Sequence, residues 1–168
     1  LNGDVAAVGA LQEAMLEPLC QYVRQTDCSG AFILLGASLS SDPAVDSHAG
    51  LYVQRGNAEH TTGDLLLYRG MADIGRRHKV MPHRKWAQEF DLSSFPGFAE
   101  HLEKASAPIE RSCRTTEFVT LPGTTEQAIL LTVPMIGADD TVYGLCGFSV
   151  NQTYFLAHHA QPTGIGSL

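Results

Sequence analysis

Positive charge in this chain is concentrated in one stretch. Arg76, Arg77, His78, Lys79, His83, Arg84 and Lys85 lead up to Trp86, the only tryptophan. Guanidinium groups in such a cluster grip carboxylates through paired N–H donors, and an adjoining indole stacks on a bound ligand. The competing reading is a solvated loop whose charges hold nothing in particular. It suits Arg84 and Trp86 less well, because a lone Trp between strands plugs a core or lines a pocket more often than it stands in solvent.

Other reactive side chains lack a pattern that carries a mechanism. There is no GxSxG, HExxH, phosphate loop or GxGxxG. His78 and His83 flank Pro82, and His158 and His159 are adjacent, so neither pair presents two ligands on one helical face. The seven histidines are therefore expected to be exposed, and no metal or cofactor is expected. Asp139 and Asp140 fall in a turn, where Asp supports the backbone by local hydrogen bonds. Cys20, Cys28, Cys113 and Cys146 form no CxxC pair, which argues against structural zinc. Cys20 and Cys28 are close enough in sequence to be bridged across a helix end, and small buried thiols are the alternative. Nothing local pairs a Cys with a His as nucleophile and base, so no enzyme is expected.

Composition sets the class. With 168 residues, 44% of them hydrophobic and 17% charged, the chain reads as one globular domain. A domain of this size buries roughly 68 to 70% of its unfolded surface and needs no staple. The net charge of -7 argues against binding nucleic acid through phosphate neutralisation. The longest apolar run, Ala31 to Leu35, is far too short to cross a membrane. The first residue is Leu1 and no leader pattern follows, so the chain is expected to be a piece of something longer.

These residues must be positioned by a small set of elements. Val5, Val8, Leu11, Met15, Leu19 and Val23 recur at three-and-four spacing, predicting a helix from Asp4 to Asp27 with Asp4 as N-cap and Pro18 as a kink or break. Ala31 to Leu35 reads as a central strand buried on both faces, and Ala49 to Gln54 as a strand with one apolar face. Asp64 to Tyr68 is short and apolar, and 70–77 suits a helical turn. Ser94 is a candidate N-cap, with Pro96 in the first turn, for a helix carrying Phe98 and Leu102 to about Ala105. Thr116 to Thr120, Glu126 to Pro134 and Val142 to Val150 read as an antiparallel meander joined by LPGT and GADD turns, and Asn151 to His159 as a further helix. Helices and strands are segregated, as in an α+β domain with an antiparallel sheet of about five strands. Residues 1–160 form the domain, with 1–27 its long helix and 161–168 a linker.

The segment LTVPMIGADDTVYGLCGFSV, Leu131 to Val150, resembles the closing hairpin of Cache-type sensor domains. With the leading helix, SGAFILLGASL and HAGLYVQRG, the resemblance covers most of the chain. Cytoplasmic GAF domains use a similar hairpin and a related sheet. The resemblance implies a PAS-like sheet and a ligand-sensing domain on the outer face of the cell membrane, part of a longer membrane-anchored protein with its output inside the cell. Outputs in the family include histidine kinases and transcription regulators. In the amino-acid-binding branch an Arg-x-Trp-Tyr pattern holds the ligand carboxylate and an acid on the last strand takes the ammonium. Arg84-Lys85-Trp86 matches the first part, but Ala87 replaces the Tyr and Ser149 stands about where the acid is expected. A hydroxyl does not neutralise an ammonium, which counts against an amino acid and leaves a small carboxylate or another modest organic ligand compatible with Arg84 and Trp86.

The expected ligand site combines Arg84 and Trp86 with Tyr52, Arg69, Tyr143 and Ser149, between the sheet and the middle segment. Tyr52, Tyr143 and Arg69 are expected to converge on one sheet face, packing roles being the alternative. The partner is a small molecule, and the helix stripe also suits a homodimer, although packing on its own sheet would use the same residues. An intracellular GAF-like regulatory domain is the second reading and a small enzyme the third.

Overall fold

The computed structural model describes residues 3–42, 46–57, 63–95, 97–106, 108, 112–121 and 125–160. The first helix, α1 (Val5–Gln25), starts where expected: the Asp4 carboxylate accepts from Ala7 N at 2.9 Å. It runs through Pro18 without a break. Losing one backbone donor inside a helix costs about 3 kcal/mol. Burial of Leu16, Leu19, Cys20 and Val23 on both sides of the proline offsets that loss.

The strands follow as β1 (Gly30–Leu35), β2 (Ser47–His48), β3 (Gly50–Arg55) and β4 (Leu65–Arg69). A short α2 (Ala72–Arg77) leads to β5 (Met81–Ala87), and β6 (Phe90–Asp91) to a 3-10 turn (Leu92–Ser94) and α3 (Phe98–Lys104). The chain closes with β7 (Arg114–Thr115), β8 (Val119–Thr120), β9 (Gln127–Ile136), β10 (Val142–Asn151) and α4 (Gln152–His158). The Asn151 side chain caps α4 by accepting from Tyr154 N at 2.7 Å.

Among the described residues this is a mixed α+β architecture with four helices and a main sheet of eight strands. The order is β5-β4-β3-β1-β10-β9-β7, with β8 also on β9, while β2 and β6 pair separately. The sheet is thus wider than the five strands expected and not wholly antiparallel, since β4 and β5 run parallel across α2. Within the basic stretch, Met81–Ala87 is this edge strand, where exposed charges face solvent and mask the strand pattern. β3 is buried on both faces rather than one, because α1 covers one side and Phe90, Phe95 and Phe98 the other. Of the strand read at Thr116 to Thr120 only Val119–Thr120 (β8) forms; 116–118 is not strand, and β7 lies just before it. The N-cap of α3 is Gly97, at φ +84°, rather than Ser94; Pro96, most of the LPGT turn and the 161–168 linker lie outside the described residues.

Two cores lie on opposite faces of the sheet. Under α1 and α2, Val8, Leu16 and Val23 pack on Ile33, Leu51 and Leu67, so the helix stripe is used on the chain's own sheet. Buried Gln12 fixes the helix by donating to Gly50 O at 3.0 Å and accepting from Met71 N at 2.8 Å. On the other face Phe32, Tyr52, Phe90, Phe95 and Phe98 form an aromatic core. No described helix is long and apolar enough to cross a membrane.

Candidate functional site

The aromatic face of the sheet carries most of the buried polar chemistry. Tyr52 and Ser149 are fully buried, and the Tyr52 hydroxyl donates to Ser149 Oγ at 3.1 Å while accepting from Gln54 Nε2. Ser29 Oγ joins them, donating to Ser149 O at 2.8 Å and accepting from Asn151 N at 2.9 Å. Desolvation pushes the Tyr52 hydroxyl far above its usual range, so it stays neutral. Arg69 faces Tyr52 in register on β4 and lies over the Phe95 ring at 5.8 Å.

These three predicted site residues come together, and the other three do not join them. Arg84 is exposed on β5. Trp86 is half-buried against the α1-side core, and its Nε1 donates to Gly70 O at 2.8 Å. Tyr143 is 52% exposed at the far end of β10, where a bulge in the β9–β10 pairing takes its ring out to the 137–140 turn. Ser149 fills a structural hydrogen-bond position in the interior. The basic cluster is divided as well. Arg77 pairs with Asp73 at 2.9 Å and with Glu13 of α1, and His78 Nε2 meets Glu13 at 2.6 Å, so part of it holds α2 to α1.

Across the stacked Phe95 and Phe98 rings, 5.2 Å apart, a cleft of about 700 Å³ opens between α3, the 114–120 segment and β9. Its floor is Phe98, His101 and Thr132, and its rim carries Arg114, Thr116 and Thr120. His101 is only 2% exposed, against the expectation that the histidines stand in solvent. A carbonyl only accepts, so Nε2–H donates to Ser112 O and Nδ1 accepts from the Thr132 hydroxyl at 2.6 Å. Desolvation holds the His101 ring below its ordinary value, which keeps it neutral. Arg114 lies 3.8 Å from Glu100 at the rim, its side chain 42% exposed. The cleft therefore offers a neutral floor, a row of threonine hydroxyls and a cation at the edge.

Sequence reasoning passed over His101, Arg114 and Thr132. His101 carries a signal in hindsight, since it follows Phe98 by three on the buried face of α3. The pairing with Thr132 has none, because it joins positions 31 apart. Arg55 was also missed. It is 5% exposed and donates to Cys28 O at 2.9 Å, to Thr26 O at 3.2 Å and to Val23 O, with its guanidinium 5.6 Å from the Tyr154 ring centroid. A cation on the carbonyls at a helix C-terminus is favoured by the helix dipole, and here it also touches α4.

The four cysteines are thiols, with Cys20 and Cys28 both buried. No group of three or more His, Cys, Asp or Glu among the described residues is placed to hold a metal ion. A second concavity, an apolar groove of about 410 Å³, lies between α1 and the outer part of the other sheet face, lined by Met15, Tyr22, Leu131, Val133, Cys146 and Phe148. No family model, curated protein or solved structure matches this chain.

Proposed function

We propose that the chain is a sensory input domain of a signal-transduction or transcription-regulatory protein, binding a small molecule in the cleft under α3. The observation that carries this reading is the cleft itself: about 700 Å³, with a buried neutral floor at His101 and Thr132 and a cation at its rim. The volume matches those of small-molecule sites. The division of labour supports it too, since the cleft occupies one face of the sheet and α1 the other. Arg55 ties the end of α1 to α4, so a shift of the sheet reaches both helices. A ligand that binds one arrangement of α3 better than another would shift that equilibrium, and equal affinity for both would transmit nothing.

This reading takes β3, β1, β10, β9 and the short edge strands as a PAS-like core, with β4, α2 and β5 added at one side. It follows the Cache resemblance in placing the domain outside the membrane of a longer anchored protein. The second reading is an intracellular GAF-like regulatory domain. It is favoured by Cys20 and Cys28, which are thiols, the state that reducing compartments maintain. The deciding experiment for the site is hydrogen exchange with and without a compound that stabilises the protein. Protection is expected in Phe98–Lys104 and in 114–120; protection confined to other segments would remove the cleft from the proposal.

A further inference from the structure

We propose that Arg69 anchors a second site, separate from the α3 cleft, that takes a carboxylate on the Nε–Nη2 edge of its guanidinium. This goes beyond the cleft reading and does not depend on it.

Arg69 is 6% exposed at the end of β4. One corner of its guanidinium is held by backbone: Nη1 donates to Tyr68 O at 2.7 Å and to Lys85 O at 3.4 Å. The opposite edge has no acceptor among the described residues. Nε is sealed from solvent and unbonded, whereas Nη2 is unbonded but retains contact with solvent. Those two nitrogens form the fork that grips a carboxylate through two parallel hydrogen bonds. The backbone bonds to Nη1 orient the fork in advance.

Among the described residues the charge has no paired carboxylate. No described carboxylate lies within 4.0 Å of Arg69, and the acid whose charge reaches it, Asp91, is engaged elsewhere. Its Oδ1 accepts from Ser93 N at 3.0 Å and from Ser93 Oγ at 2.6 Å. A buried guanidinium without a counter-charge is unfavourable, and a bound carboxylate removes that deficit. Phe95 forms one wall at 5.8 Å, and Tyr52 stands opposite in register, surroundings that suit a small monoanion with an apolar body. In a chain of net charge -7, β5 also sets His83, Arg84 and Lys85 beside β4, which draws anions to this edge of the sheet.

The test is titration of the full chain, labelled with 15N at arginine Nε, with sodium propionate and with sodium chloride at matched ionic strength. The Arg69 signal is identified by its loss in Arg69→Lys. A saturable shift of that signal with propionate, absent with chloride, is the expected result. Propionate affinity should fall tenfold or more in Arg69→Lys, which keeps the charge but lacks the fork, and stay within twofold of wild type in Arg114→Ala. An Arg69 signal unmoved by propionate, or moved equally by chloride, overturns the proposal; if Arg69→Lys does not fold, the absence of any arginine Nε signal that shifts with propionate and not with chloride overturns it equally. Loss of propionate binding in Arg114→Ala with an unmoved Arg69 signal assigns the anion to the cleft and overturns the Arg69 site alone.

Discussion

Tyr52 and Ser149 meet across a strand that separates them, the Tyr52 hydroxyl reaching Ser149 Oγ at 3.1 Å from β3 to β10 over β1. Gly30 permits the contact, since it pairs with Gln54 on one side and Ser149 on the other and puts no side chain between them. A Cβ at Gly30 would come within 2.6 Å of Gln54 Cγ and of Val53 O. Gly30→Ala is therefore expected to cost about 1 to 3 kcal/mol through overpacking. Urea unfolding measures it, and an unchanged midpoint would contradict the close approach.

Arg55 joins the two ends of the domain. Replacing it with Met leaves carbonyls at the end of α1 without their donor and removes the contact with Tyr154. The expected loss is about 3 kcal/mol. Amide exchange in the last turn of α1 and in α4 should accelerate together. Acceleration in α1 alone would show that Arg55 does not couple the two helices.

Much of this framework can be read from residue order. The α1 stripe and its Asp4 cap, the apolar run of β1, the β9–β10 hairpin and the Asn151 start of α4 all follow from local pattern. What stayed hidden depends on distant partners. β5 pairs at an edge while exposing Met81, Arg84 and Lys85, so its sequence carries no strand alternation. Arg55 looks like a loop residue until α1 ends beside it, and His101 looks exposed until Thr132 and Ser112 enclose it. Of the expected site, Tyr52, Arg69 and Ser149 converge because strand alternation and register place them on one face, whereas the bulge at Tyr143 and the edge position of Arg84 are tertiary outcomes.

His101 gives the fold a pH dependence of known sign. Its folded pKa lies below the ordinary value of 6.5 because burial disfavours the charged ring. In the window between that lowered value and about 6.5 the unfolded chain binds more protons, so stability is full above the window and falls as pH drops through it. His83, displaced in the same direction by desolvation, adds to the slope. Thermal midpoints between about pH 7 and pH 5 should fall less steeply in His101→Gln than in wild type. Equal slopes would show that His101 is not held neutral.

The thiols should separate by accessibility. Burial pushes Cys20 up to about 11 and raises Cys28 and Cys146, while Cys113 lies at the surface. Brief alkylation at mildly alkaline pH should label Cys113 first and leave Cys20 and Cys28 unmodified until the chain is unfolded. Peptide mass spectrometry reads the order, and early labelling of Cys20 would contradict its packing between α1 and the sheet.

The most direct test of small-molecule sensing is thermal unfolding against a panel of carboxylates, amino acids, amines, sugars and nucleobases, run in parallel on wild type, Thr120→Trp and Arg69→Met. Thr120 is exposed at the cleft rim, so a tryptophan there fills the cleft without entering the core. A compound present at 100 times its dissociation constant adds about 2.7 kcal/mol, which raises the midpoint by several degrees in a domain of this size. The predicted result is at least one compound whose effect is lost in Thr120→Trp and kept in Arg69→Met. If no compound gives a shift that is lost in Thr120→Trp, the ligand site under α3 is contradicted; shifts that survive Thr120→Trp but are lost in Arg69→Met report the Arg69 site instead.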